Sequence, residues 1–286
     1  MIRPRQRRTH VDLRAIAYGG LCLVMICVGW TSVALTTPAA DAGAPSASLA
    51  AAVQTTGPAS SPVVSQSADS PLAIPSITPV ASPTKTAFNM DIYRPGSFVS
   101  QSNREDCMAG AVQNMLNIIG PTVDLSTARQ QEIGNVLVSL TTHEDSYDGG
   151  FGPAGWALTM AQLGGGQYKL VIDPTFDRAM KDAALALAAT SRPVGLLTWW
   201  GAHSWVMTGF RADADPLLFP NTFKLKGAYI VDPFYPRLST IWGQTLGPDT
   251  FYSMPSMARN YLFWKRPDGH YPARDGKWLL VIPINA

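Results

Sequence analysis

The sequence is short of charge. Only 15% of its 286 residues are Asp, Glu, Lys or Arg, against roughly 25% in an ordinary soluble domain. The deficit lies early, since no charged side chain occurs between Arg14 and Asp41. From Phe88 onward, 16 Lys and Arg face 17 Asp and Glu. That part of the chain lacks the cationic excess with which a nucleic-acid binder displaces counterions. Cysteine is scarce too, and three of them exclude a disulfide-stapled scaffold. No Cys/His cluster has zinc spacing and no glycine-rich phosphate loop follows a strand, so neither a metal nor a nucleotide cofactor is called for. No internal repeat is present.

What the first third does contain is apolar length. Residues 15–35 form an uncharged run that would measure about 31 Å as a helix, against a bilayer core of about 30 Å. Arg3, Arg5, Arg7, Arg8 and Arg14 precede it and place that end in the cytoplasm. The reading is a basic cytoplasmic tail at 1–14 and a transmembrane signal-anchor at 15–36, with everything after it outside the cytoplasm. The alternative is a signal peptide cut near Pro38-Ala39-Ala40. The apolar run exceeds the usual 7–15 residues of a signal core, which favours the retained anchor. Cys22 and Cys27 lie inside the run and read as small hydrophobes. Residues 37–87 are mostly Ala, Ser, Thr and Pro, with Asp41, Asp69 and Lys85 as the only charges. Such a segment buries too little to offset its ordering entropy, and its Ser-Pro and Thr-Pro pairs favour an extended, disordered linker.

Residues 88–286 carry seven of the eight Trp and are numerous enough for one domain with a sizeable core. Met108, Ala111, Val112, Met115, Leu116 and Ile119 follow helical spacing, and Gly120-Pro121 ends the run. Further helices are predicted over 126–140, with Ser126 as N-cap, over 153–163, and over 177–189. Strands are predicted over 194–200, 203–210, 227–231 and 277–283. Helices followed by hairpin-like strands give an α+β domain with an antiparallel sheet.

Cys107 is the only cysteine in that domain and opens its first helix, where free N–H groups and the helix dipole favour a thiolate. A buried core cysteine is the bland alternative, but an idle thiol in an oxidising space is a liability. Of the domain's three histidines, His203 starts a strand after a short turn. Gly227-Ala228-Tyr229-Ile230-Val231 leads into Asp232-Pro233. If the two strands pair antiparallel, the start of one lies beside the end of the other, so His203 and Asp232 become neighbours, as a base and its orienting acid must be. Gln101, six positions before Cys107, can donate to a developing oxyanion together with the Cys107 N–H.

The order Gln, Cys, His, Asp, in Gln101-Ser102-Asn103-Arg104-Glu105-Asp106-Cys107, Ala202-His203-Ser204-Trp205-Val206-Met207-Thr208-Gly209 and Val231-Asp232-Pro233, resembles the papain-like cysteine peptidases. It is most similar to the branch that trims double-glycine leaders from bacteriocins and to its stand-alone extracytoplasmic relatives. The likeness covers nearly all of 88–286. It implies a papain-like fold, with the Cys-bearing helix packed on an antiparallel sheet, and a peptide or peptide-like substrate. It implies Cys107 as nucleophile, His203 as general base and acid, Asp232 as its orienter and Gln101 as oxyanion donor. One departure matters: that branch has a small residue after the Cys and often a Pro next, whereas this chain has Met108-Ala109-Gly110, so Met108 is expected to narrow the site or alter its activity. A thiol acyl-enzyme also allows acyl transfer, and a non-catalytic cell-surface binding module on the same fold is the rival of another class.

Other features carry less. His143, in an acidic loop with Glu144, Asp145 and Asp148, lacks the spacing of a calcium loop and reads as a segment flanking the site. His270 reads as a surface turn residue. Trp199 and Trp200 are placed to line a cleft beside His203, with core packing expected for at least one. The length of the 15–35 run predicts that protein extracted from membranes retains its N-terminal residues. N-terminal sequencing checks this, and a mature start between Ala39 and Asp41 would mark a cleaved signal instead.

Overall fold

The computed structural model of the chain describes residues 83–146, 148, 150–265 and 269–285. The predicted tail, the anchor and nearly all of the linker lie outside the described residues, of which only 83–87 belong to the linker; these are exposed coil. No helix among the described residues is long and apolar enough to cross a membrane.

The domain opens with a strand, β1 (Phe88–Asp91), followed by three helices: α1 (Cys107–Ile119), α2 (Thr127–Leu140) and α3 (Pro153–Gln162). Next come β2 (Tyr168–Asp173), α4 (Phe176–Thr190), β3 (Val194–Thr198), a turn at Trp199–Gly201, β4 (His203–Ala212) and β5 (Leu225–Val231). A two-stranded ribbon, β6 (Leu238–Ser239) and β7 (Gly243–Gln244), precedes β8 (Thr250–Ser253), α5 (Met254–Asn260) and β9 (Trp278–Pro283). The main sheet is antiparallel, in the order β2-β9-β3-β4-β5-β8, and β1 also pairs with β4. The fold is α+β, with five helices on an antiparallel sheet.

Helix ends fall where local chemistry puts them. Ser126 caps α2 by accepting from the Arg129 N–H at 3.2 Å, and Thr175 does the same for α4 through Arg178. Both are hydroxyl N-caps satisfying an otherwise orphan donor. The third helix begins on Pro153, whose missing N–H costs nothing at that position.

Strand β4 explains the shape of the core. Its first eight residues are all buried, because helices cover both faces of the sheet. On one face Met115, Ile133, Leu137, Trp156 and Met160 from α1, α2 and α3 pack with Leu197, Val206, Val231 and Val281. On the other, Met180, Leu187, Met257 and Tyr261 pack with Leu196, Trp205, Phe210 and Leu280.

The structure differs from the sequence reading in several places. The helical half is not contiguous, since β1 precedes α1 and β2 separates α3 from α4. Strand β2 lies at an edge of the sheet and, among the described residues, pairs with β9 alone; its Tyr-Lys-Leu-Val-Ile-Asp run has no regular alternation to mark it. Helix α5 has only seven residues, with Pro255 in its first turn. The predicted strand 194–200 stops at Thr198, because Thr198 already faces His203 across the sheet and the chain must reverse between them. Trp199, Trp200 and Gly201 make that reversal with φ of 53°, 61° and 84°, a left-handed run that is costly for the two tryptophans.

Gly195 in β3 is a close-approach glycine: a Cβ there would lie 2.4 Å from the Trp156 ring. Gly195→Ala should therefore destabilise the protein by about 1–3 kcal/mol through overpacking. Urea unfolding measures this, and an unchanged midpoint would show that the indole can step aside.

Candidate active site

The site forms where the first turn of α1 meets the starts and ends of the central strands. Cys107 is the first residue of α1, and its N-cap, Asp106, makes no side-chain bond to the helix. The Asp106 carboxylate instead accepts from the Ser102 hydroxyl and the Asn103 amide. The helix therefore presents uncapped N–H groups at the thiol, with the positive end of its dipole. The Cys107 sulfur lies 3.8 Å from the Ser204 hydroxyl at the start of β4.

Antiparallel pairing of β4 and β5 places Val206 opposite Val231. His203 and Asp232 then fall at the same end of the pair, and His203 Nε2 lies 2.7 Å from Asp232 Oδ1. Both residues are buried, at 3% and 2% exposure. Asp232 Oδ1 also accepts from the Phe234 N–H at 2.8 Å, which fixes the carboxylate plane. With Nε2 committed to Asp232, Nδ1 is the ring nitrogen left for the thiol. The imidazole is clamped by aromatics: Trp199 stacks on it with centroids 4.1 Å apart, and Phe234 meets it edge-on at 5.9 Å.

The electrostatics follow from that enclosure. Burial pushes the His203 pKa down, but the Asp232 carboxylate and the Cys107 sulfur outweigh it and raise the value to about 9. Burial likewise pushes the Cys107 thiol up, yet the His203 hydrogen bond and charge, with help from Ser204, bring it below its ordinary value. Both shifts favour the same state, a thiolate beside an imidazolium.

Gln101 is buried beside the helix start, at 1% exposure. Its Nε2 donates to the Asn103 carbonyl at 2.7 Å, which identifies the nitrogen end and leaves a second N–H uncommitted. Its backbone N–H donates to the Pro233 carbonyl at 2.8 Å, tying this loop to the residue after Asp232. Gly110, one turn into α1, permits the approach: a Cβ there would stand 3.0 Å from the Pro233 side chain and 3.2 Å from that of Gln101.

All four residues singled out in the sequence, Gln101, Cys107, His203 and Asp232, are thus brought to one end of the sheet. Met108 is 6% exposed and belongs to the core beneath α1. Trp199 packs on the imidazole, while Trp200 is only partly buried. His143 and His270 are exposed on loops, and no group of three potential metal ligands occurs among the described residues. Asp145 from the His143 loop is structural, since it accepts from Ala154 and Gly155 at the start of α3 and pairs with buried Arg274.

One contributor was not anticipated. Arg237 donates to the Gln101 carbonyl at 2.6 Å, the Ser102 carbonyl at 3.2 Å and the Ser100 hydroxyl at 3.0 Å. It lies among turn residues after Asp232, where nothing local distinguishes it from a solvated arginine. A hollow of about 660 Å³ beside the C-terminal end of α1 shares no residue with this site. A smaller one of about 140 Å³ adjoins it, lined by Trp199, Trp205, Asp232, Trp242 and Tyr252 among others.

No protein-family model matches the chain, and no curated protein matches it.

Asp232 is what offsets the burial of the imidazole. In Asp232→Asn, the His203 pKa should fall from about 9 toward the ordinary 6.5, because desolvation then acts with much less opposition. Histidine titration by NMR reads this, and a value still near 9 would assign the shift to Cys107 alone.

Proposed function

We propose that the protein is a papain-like cysteine peptidase or amide hydrolase working through Cys107, His203 and Asp232, with Gln101 as oxyanion donor. The observation that carries the reading is the buried 2.7 Å bond between His203 and Asp232 beside a thiol on the first residue of a helix. A core cysteine has no need of a charged partner, and a buried histidine has no need of a thiol.

The chemistry runs as follows. The Cys107 sulfur attacks the carbonyl carbon of a peptide or peptide-like amide, and the π electrons move onto oxygen. The Cys107 N–H and the free N–H of Gln101 stabilise that oxyanion. Collapse breaks the C–N bond, and the imidazolium of His203 gives its proton to the departing amine. The acyl group then sits on sulfur as a thioester. Water attacks it while His203 takes the water proton, and the second collapse releases the acid, with the thiolate and imidazolium restored. Asp232 holds the ring orientation and balances its charge throughout. The burial of Met108 in the core speaks against its narrowing the site.

The same reading places the domain outside the cytoplasm, held to the membrane by 15–36. It rests on the sequence of that segment and of the arginines before it.

Cys107 should react with iodoacetamide at pH 6, where a free thiol of pKa roughly 8.5 is nearly inert. His203→Ala should remove that low-pH reactivity, and Gln101→Ala should leave it while lowering turnover by about 10²–10³-fold. Because His203 keeps its proton until the pH passes about 9, amide turnover should decline above that point while alkylation does not. An ordinary thiol pKa, indifferent to His203→Ala, would overturn the reading.

A further inference from the structure

The ribbon formed by β6 and β7 bridges both halves of the candidate site. At its root, Arg237 holds the Gln101 loop through three hydrogen bonds, and its own carbonyl accepts from Thr245 across the ribbon at 2.7 Å. At its tip, Trp242 lies parallel to Trp199 with centroids 5.6 Å apart and an interplanar angle of 4°. Trp199 in turn stacks on His203, and Trp200 meets Trp242 edge-on at 5.1 Å. Trp242, Thr245 and Leu246 wall the small cavity that reaches Asp232. The ribbon is therefore fixed at one end to the oxyanion loop and at the other to the imidazole stack.

Three of its apolar side chains are uncovered. Leu238, Ile241 and Leu246 are 59%, 71% and 44% exposed. No charged side chain occurs from Leu238 to Pro248. A short ribbon this apolar, with no salt-bridge or lysine protection along its edge, is an element that expects a partner. Its two anchorages say which partner. Anything lying along it runs between the Gln101 loop and the Trp199–His203 stack.

We infer that the β6–β7 ribbon is the specificity element of the site, and that Leu238 and Ile241 select a substrate peptide bearing uncharged, apolar side chains near the bond that is attacked. The inference rests on the reading of Cys107 as nucleophile. Lack of charge supplies the selection. A carboxylate or ammonium pressed against these side chains loses water and gains no partner, whereas a leucine side chain gains buried area. An extended peptide also finds unpaired strand edges there, the geometry of strand addition.

The test uses the full chain and two active-site probes, dileucyl and diglutamyl chloromethyl ketones. Each labelling rate at Cys107 is divided by that of iodoacetamide, which is too small to need the ribbon. The wild-type ratio should favour the dileucyl probe by about tenfold or more, the scale on which apolar pockets discriminate. In Leu238→Lys with Ile241→Lys, the dileucyl ratio should fall about tenfold and the diglutamyl ratio should rise. Both positions are exposed, so folding is little affected, and a gain with the acidic probe is something a misfolded chain cannot produce. Normal iodoacetamide labelling with equal probe rates, or with a preference that the two lysines leave unchanged, would overturn this inference alone. Failure of wild-type Cys107 to alkylate at pH 6 would overturn it together with the reading on which it rests.

Discussion

The pair of His203 and Asp232 is a costly arrangement, buried at 3% and 2% exposure, and the structure around it makes it tolerable. Removing two ionisable groups from water carries a penalty of several kcal/mol per ion, recovered only with good geometry and further hydrogen bonds. Here the 2.7 Å contact is supplemented by the Phe234 N–H on the same carboxylate oxygen. The stacked Trp199 and edge-on Phe234 leave the imidazole one orientation. That geometry depends on register. Strands β4 and β5 pair with Val206 opposite Val231, and a slip of one residue would carry His203 to the other face of the sheet. The bulge at Thr208 lies beyond this stretch, so the pairing that positions His203 is regular.

Cys107 belongs to a different layer, and its placement needs a separate set of ties. Helix α1 packs against the sheet through Val112 and Met115, but packing alone leaves freedom along the helix axis. Polar contacts remove it. Asn114 in α1 donates to the Val99 carbonyl and accepts from the Val99 N–H, each at 2.9 Å. Gln130 in α2 accepts from the Ser102 N–H and donates to Gln113 in α1. The loop from Val99 to Ser102 is thereby stitched to two helices on one side and to Pro233 and Arg237 on the other. These buried polar groups are engaged with backbone and with one another, which makes them rigid rather than adaptable.

How much of this could be read from the sequence depended on whether its cause was local. The helix at Cys107 announced itself through Met108, Val112 and Met115, and its end through Gly120-Pro121. The neighbourhood of His203 and Asp232 followed from a single assumption, that two consecutive strand-like runs pair, and strand pairing fixes ends as well as middles. Residues whose partners are remote in sequence were invisible. Arg237 meets the Gln101 loop from more than a hundred residues away, and nothing in Pro236-Arg237-Leu238 marks it. Trp199 and Trp200 looked like the last residues of a strand because tryptophan suits strands, whereas the structure needs a left-handed turn there. Local propensity lost to the need for His203 to face Thr198. Met108, singled out because the resembled branch has a small residue after the Cys, lies in the core, since successive helical residues point about 100° apart.

The buried thiol and imidazole are best understood as one titrating unit. At neutral pH the unfolded chain carries a proton on Cys107, whose free thiol has a pKa of roughly 8.5, and none on a histidine of roughly 6.5. The folded chain carries that proton on His203 instead, since the thiol value is lowered and the histidine value is raised to about 9. Folding moves the proton from sulfur to nitrogen without exchanging it with solvent. Where the pH lies above the lowered thiol value and between about 6.5 and 8.5, both states hold one proton, so the pair adds no pH dependence to stability there. At lower pH the unfolded histidine takes up a second proton, and above the lowered thiol value the folded pair does not. Stability then falls with falling pH, as it must for a group whose folded pKa is depressed. Above the window the unfolded thiol ionises while His203 stays protonated up to about 9. Stability then falls with rising pH, as it must for a group whose folded pKa is raised. The lowered thiol value and the raised histidine value thus favour one charged pair, thiolate and imidazolium, and folding itself favours that state.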